Sequence, residues 1–251
     1  MRCWTRVADI RIGCSGWHYK HWRGAFYPQD LPSPRWLEFY VERFDTVELN
    51  STFYRLPPER SLASWRDATP FDFVFTAKGS RFITHMKKLS QPEGSIKQYL
   101  ERVEVLGRKL GPILFQLPPW WELNLERLEK FLLALPRGRR YGFEFRNATW
   151  HTGEVYALLR KHNAAFCAFD IAQFQSPVVI TADFAYVRLH GPGPGRYQGS
   201  YSREALSVWA RRIRGWAKEL KAVYVYFDND MAAFAPRNAL ELKRLCANIT
   251  G

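Results

Sequence analysis

Bulky apolar residues recur every second position in eight short runs along the chain, and seven stretches between the runs repeat them every third or fourth position. The runs are IRIGC (from Ile10), TVELN (Thr46), FVFTAK (Phe73), PILFQL (Pro112), YGFEFR (Tyr141), AAFCAFD (Ala164), FAYVRLH (Phe184) and AVYVYFD (Ala222). Period two predicts strands, and the longer period predicts helices over 34–44, 59–67, 95–109, 124–135, 153–162, 202–220 and 237–247. Leu125, Leu128, Leu132 and Leu135 show the helical spacing. The sixth connection, 171–183, carries no helical pattern. Strand and helix alternating about eight times in 251 residues predict an α/β protein, a (β/α)8 TIM-like barrel with one degenerate repeat, forming a single domain over 1–251. An open doubly wound sheet is the rival. It normally announces itself by GxGxxG opening a helix after a strand, and GPGPGRYQG after the seventh run has prolines where free amides are needed.

The polar exceptions to the strand pattern collect at the strand ends. Glu48 and Asn50 end the second run, Thr76 and Lys78 the third, Gln116 the fourth, Glu144 and Arg146 the fifth, Asp170 the sixth, Arg188 and His190 the seventh, and Asp228 or Asn229 the eighth. Residues two apart on a strand share a face, so Glu144 and Arg146 point one way and Phe143 and Phe145 the other. In a barrel the C-terminal strand ends form one rim, where chemistry is placed. A purely structural ion network is the competing explanation for each residue, but it has no reason to gather at one end.

Composition adds charge to this picture. Lys plus Arg outnumber Asp plus Glu by 37 to 24, a net +13 that draws polyanions. Four scattered cysteines, Cys3, Cys14, Cys167 and Cys246, contain no CxxC pair and read as reduced structural thiols. No apolar run reaches the 18 or so residues of a membrane span, and the start of the chain lacks a signal-peptide pattern, so the expected location is cytoplasmic with no membrane association.

Seven blocks in order, GCSGWHYKHWRGAFYP, VELNSTFYRLP, FTAKGSRFITH, LFQLPPWW, FEFRNATWH, RLHG followed by YQGSYS, and YVYFDND, resemble the YecE-like family, whose members are classed as a domain of unknown function. The resemblance covers almost the whole chain and implies a TIM-barrel-like fold. It supplies no reaction. Asp228 and Ala233 stand where the family pattern leads one to expect Asn and Gly.

The residues themselves therefore carry the functional expectation. Glu48, Lys78, Glu144, Asp170 and His190 are the candidate catalytic groups; Trp17, Asn50, Tyr54, His85, Gln116, Arg146, Arg188 and Asn229 are the candidate ligand-binding groups. Arginine and lysine at the mouth favour a phosphate or carboxylate, and 16% aromatic residues, many in predicted rim loops, offer stacking surfaces for bases or sugars. The expected partner is an anionic ligand, DNA or RNA included, with acid–base hydrolysis of a phosphoester as the leading reaction. Non-catalytic nucleic-acid binding is one alternative. A sugar or keto-acid lyase or isomerase, with Lys78 forming a Schiff base, is another. No cofactor is expected; a single divalent ion on Glu48, Glu144 and Asp170 is the one metal arrangement the strand ends offer, because histidines are too few there for a zinc cluster.

Overall fold

The computed structural model describes residues 8–172 and 174–247, which leaves Cys3 outside the described residues. Among the described residues nine strands form: β1 (Asp9–Ser15), β2 (Thr46–Leu49), β3 (Val74–Lys78), β4 (Leu110–Leu117), β5 (Tyr141–Phe145), β6 (Ala165–Ile171), β7 (Phe174–Gln175), β8 (Phe184–Leu189) and β9 (Ala222–Phe227). All but the two-residue β7 pair in parallel, in the order β5-β4-β3-β2-β1-β9-β8-β6, and β5 pairs with β6 to close an eight-stranded barrel. The helices are α1 (Trp36–Val41), α2 (Ser51–Tyr54), α3 (Glu59–Asp67), α4 (Pro92–Val103), α5 (Leu125–Ala134), α6 (Gly153–Lys161), α7 (Arg203–Trp216) and α8 (Phe234–Ala247). The expected (β/α)8 barrel is what forms.

The helices start where the sequence supplies caps. Asn124, Thr152 and Ser202 each accept a hydrogen bond from a backbone N–H in the first turn of α5, α6 and α7. Leu128, Phe131 and Leu132 of α5 face the barrel and are buried against Phe115 and Phe143, while Leu133 on the far side is exposed. Each such buried side chain contributes roughly 1.5–3 kcal/mol. Two apolar clusters of this kind fill the shell between strands and helices, and a smaller one, built on Leu114, Cys167, Phe184, Tyr186, Tyr224 and Tyr226, fills the barrel interior.

The sixth connection has no helix. After β7 folds back on β6, the segment 176–181 runs along the barrel wall, where Ser176 Oγ accepts the Phe169 N–H at 2.8 Å and Thr181 Oγ1 accepts the Phe166 N–H at 2.7 Å. Two hydroxyls thus satisfy β6 backbone groups on a side that a helix leaves open. Glycine is required where β1 meets β2: a Cβ on Gly13 would stand 2.4 Å from the Thr46 carbonyl oxygen.

Candidate functional site

The inward positions of the barrel form a ladder from tyrosines below to ions above. Tyr186 and Arg188 of β8 share a face by period two, as do Thr46 and Glu48 of β2 and Thr76 and Lys78 of β3. Tyr186 donates its hydroxyl to Glu48 Oε2 at 2.6 Å, and Tyr226 meets Thr46 Oγ1 at 2.6 Å. Above them Arg188 is fully buried. Its Nη2 donates to Glu48 Oε1 at 2.7 Å, to Asp228 Oδ2 at 2.9 Å and to Ser15 Oγ at 3.1 Å; its Nη1 donates to Glu144 Oε2 at 2.8 Å. Ser15 in turn donates to Glu48 Oε1. With Arg188 Nε also donating to Glu48 Oε1 at 3.0 Å, every oxygen of Glu48 and every nitrogen of the Arg188 guanidinium is committed, which is what a buried ion network needs if desolvation is not to dominate.

Glu144 divides its oxygens between two arginines, with Arg146 Nε donating to Oε1 at 2.6 Å. Burial by itself would raise its pKa, but Arg146, Arg188 and His190 hold it well below the ordinary glutamate value. Burial likewise opposes ionisation of Asp228, and Arg188 with His190 overrides it, bringing that carboxyl down to about 2. Its Oδ2 accepts from His190 Nδ1 at 3.0 Å, so Nδ1 carries a proton; His190 Nε2 lies 3.5 Å from Glu144 and 3.4 Å from Arg188 Nη1. The loop after β8 turns on Gly191, at φ +105°, and holds Tyr197 in the left-handed region at φ +66° with its ring 5.7 Å from the His190 ring. A non-glycine residue held there stores strain, and here it puts a ring over the buried histidine.

Two cations at the mouth are not fully used. Arg146 is 10% exposed in its side chain, and its Nη2 is buried without a hydrogen-bond partner. Lys78 is 7% exposed; its Nζ lies 4.4 Å from the centre of the Phe53 ring, and no carboxylate lies within ion-pair distance of it among the described residues. Burial, reinforced by Arg188, pulls its pKa down to about 8. Beside them His85 packs edge-on against Phe53, at 5.1 Å, and Trp120, at 5.7 Å. Burial together with Lys78, Arg81 and Arg146 brings its pKa down to about 4, so the ring is neutral at pH 7. Thr84 donates its hydroxyl to the Ser80 carbonyl and meets His85 Nδ1 at 2.9 Å, so Nδ1 is the protonated nitrogen and Nε2 keeps its lone pair. Tyr54 and Trp120, exposed at 77% and 63%, extend this wall toward solvent together with Phe82.

Glu48, Lys78, Glu144, Arg146, Arg188 and His190 therefore meet at one barrel end as the strand pattern predicts. Asp170 does not join them. Its neighbour in β8 is Leu189, so it takes the face opposite Phe169 and Arg188; it stays half-buried with its pKa raised by burial. Asn229 is also turned away, since its Nδ2 donates to the Gly199 carbonyl and to Asn238 Oδ1 and so ties the last strand end to α8. Asp228 occupies the inward position instead. Gln116 bends to the Leu117 carbonyl at 2.8 Å, and Asn50 donates to Ser15 and to Asp228 Oδ1. Trp17 is packed edge-on against Trp65 in the outer shell rather than offered to a ligand, and Trp22, Trp121 and Trp150 are buried too. Ser15 and Tyr186 were not singled out by the sequence, although Tyr186 stands two residues before Arg188 and the same period would have found it; Phe53 stood out only as one of the rim-loop aromatics. Among the described residues no three His, Cys, Asp or Glu side chains are grouped to hold a metal ion. Cys14, Cys167 and Cys246 are free thiols.

Known proteins of the same build extend these observations. The family described as "Protein of unknown function DUF72" matches residues 11–250. The chain is 33% identical to the UPF0759 protein YecE of Escherichia coli K12, over 90% of this chain and 89% of that one, and 25% identical to the UPF0759 protein YunF of Bacillus subtilis, over 94% of each. Among solved structures, a DUF72 family protein from Thermotoga maritima superposes with a TM-score of 0.87 at 30% identity, covering 95% of this chain and 99% of that one. One from Enterococcus faecalis, at 20% identity and a TM-score of 0.81, shares the fold. The protein belongs to the DUF72 family.

Proposed function

We propose that the barrel mouth binds a phosphorylated ligand with a flat or apolar body, a nucleotide or the end of a nucleic acid strand. The observation that carries this reading is the buried, unpartnered Nη2 of Arg146, with the unpaired ammonium of Lys78 in the same mouth and within reach of its charge. A buried donor left unsatisfied costs about 1–3 kcal/mol, more when charged, and a phosphoryl oxygen placed between the two cations recovers it. Phe53, Tyr54, His85 and Trp120 form a wall for the remainder of the ligand, and stacking on such a wall is worth about 1–3 kcal/mol per base. Hydrolysis by carboxylates fits less well, because Glu48 and Glu144 are occupied by Arg188, Arg146 and Tyr186. Chemistry at this mouth falls to His85, whose Nε2 can accept a proton, and to Lys78.

The test is thermal unfolding with inorganic phosphate at constant ionic strength. A ligand at about 100 times its Kd adds roughly 2.7 kcal/mol, or about 5–10 °C in a chain of this size. Arg146→Met is expected to abolish that shift; because it also leaves Glu144 Oε1 without its arginine donor, the shift is read against each protein's own melting temperature without phosphate. A phosphate response unchanged in Arg146→Met, or none in the wild type, refutes the reading.

A further inference from the structure

Two lysines are buried among the described residues, and they differ in one respect. Lys109 donates Nζ to the Arg66 carbonyl at 2.5 Å, the Thr69 carbonyl at 2.7 Å and the Thr69 hydroxyl at 3.1 Å. All three of its donors are satisfied, as a structural lysine requires. Lys78 sits equally deep, at the inward C-terminal end of β3, and its amine has no hydrogen-bond or ion-pair partner among the described residues. The carboxylates that could have paired with it are taken, Glu48 by Arg188, Ser15 and Tyr186, Glu144 by Arg188 and Arg146. What faces the amine is one aromatic ring, and the near charges include two guanidiniums.

We propose that Lys78 is a nucleophilic amine that condenses with the carbonyl carbon of a phosphorylated aldehyde or ketone, an open-chain sugar phosphate, seated in the barrel mouth. Desolvation, reinforced by Arg188 and Arg146 and only partly opposed by Glu144 and Asp228, none of them in contact with the amine, favours the neutral form. With the pKa at about 8, about a quarter of the molecules carry a free amine at pH 7.5, against about one in a thousand for an ordinary lysine. The Arg146 Nη2 donor anchors the phosphoryl group, so the proposal rests on the anion-binding reading above. In the step itself the Lys78 nitrogen lone pair forms the C–N bond as the carbonyl π pair moves to oxygen. The oxygen takes up two protons, one relayed through solvent from the amine N–H and one more from solvent, and leaves as water, and a protonated imine with one N–H remains. No oxidant, reductant or metal is needed. The same open-chain sugar phosphate occurs free or as the ring-opened deoxyribose of an abasic site in a nucleic acid strand, and the net charge of +13 and the exposed Tyr54 and Trp120 suit either source.

The experiment traps the imine. The full chain is incubated with sodium cyanoborohydride and one of three probes: glyceraldehyde 3-phosphate, unphosphorylated glyceraldehyde, or a single-stranded oligonucleotide with one abasic site. Adducts are located by peptide mass mapping in the wild type, Lys78→Arg and Lys78→Met, each checked for a folded circular dichroism spectrum. The expected result is one adduct on Lys78, formed at least ~10-fold faster than on any other lysine, absent from both variants and slowed by inorganic phosphate. Faster capture of the oligonucleotide than of glyceraldehyde 3-phosphate identifies the nucleic acid source, and the reverse order the free sugar phosphate; both support the proposal. Adducts spread over exposed lysines at equal rates in wild type and variants overturn it. If phosphate stabilises the protein but no probe labels Lys78, the carbonyl chemistry falls and the anion site stands. If glyceraldehyde labels Lys78 as fast as its phosphorylated form and phosphate does not slow it, the anion reading falls and the nucleophile stands.

Discussion

Arg188 and Lys78 are both cations buried in the mouth of one barrel, and the groups around them make opposite demands on stability. Arg188 is surrounded by Glu48, Glu144, Asp228 and Ser15 within 3.1 Å, so Arg188→Met leaves three carboxylates without their shared partner. A loss of about 3–5 kcal/mol is expected, readable as a lowered urea midpoint. Lys78 has no such partner. Its folded pKa of about 8 lies below the ordinary 10.5, so below pH 8 the folded state carries an ammonium it holds poorly. Between pH 8 and 10.5 the unfolded chain binds more protons than the folded one, and this contribution to stability rises with pH through that window. The ammonium costs the folded protein about 2–3 kcal/mol at pH 7 once the Phe53 ring's attraction of about 1 kcal/mol is counted. Lys78→Met is therefore expected to melt higher than the wild type at pH 7 and to lose most of that advantage by pH 10. A lower melting temperature at pH 7 would show that the ammonium is well held, and would count against both readings of the mouth.

The strands explain why part of this site was legible beforehand. Period two alone put Glu144 with Arg146 and Arg188 with His190 on inward faces, and the barrel count put those faces at one rim. The failures have equally local causes. Asp170 follows Phe169 by one residue, and the pairing of β6 with β8 gives the inward position to Phe169; a run ending FD does not say which of the two residues points in. At the end of β9 the same one-residue ambiguity put Asn229 among the ligand-binding groups, although Asp228 makes the bonds to Arg188 and His190. Aromatics in rim loops also could not be sorted by sequence into lids and stacking surfaces, because Trp17 and Trp120 differ only in what packs over them. The missing sixth helix was visible as an absent period, but its replacement by hydroxyls was not. Thr181 accepts from the Phe166 N–H and donates to the Ala164 carbonyl at 2.6 Å. Thr181→Val keeps the shape and strands both groups, so a loss of about 1–3 kcal/mol is expected in equilibrium denaturation, with phosphate binding intact. A loss under 0.5 kcal/mol would show that water replaces the hydroxyl and that the segment is not what completes this wall.

At the scale of the molecule, charge is distributed unevenly between the mouth and the outer surface. Inside, Arg188, Arg146 and Lys78 face Glu48, Glu144 and Asp228, three against three, so the net charge of +13 resides elsewhere. That outer charge attracts any polyanion, and its attraction weakens with salt as condensed counterions are released. Specific recognition by the mouth depends on Arg146 and Lys78 and neutralises about one phosphate, a small part of that slope. The two contributions separate in one measurement, binding of single-stranded DNA at several salt concentrations by wild type and Arg146→Met. If the strand lies on the outer surface, both proteins give the same affinity and the same steep slope of log K against log salt. If a strand end enters the mouth, Arg146→Met weakens binding about tenfold or more at every salt concentration, as loss of a charge-assisted bond of about 1.5–3 kcal/mol requires, and the slope falls by about one phosphate's worth. The buried Arg146 Nη2, without a partner among the described residues, predicts the second result; superimposable curves would confine the site to small phosphorylated ligands.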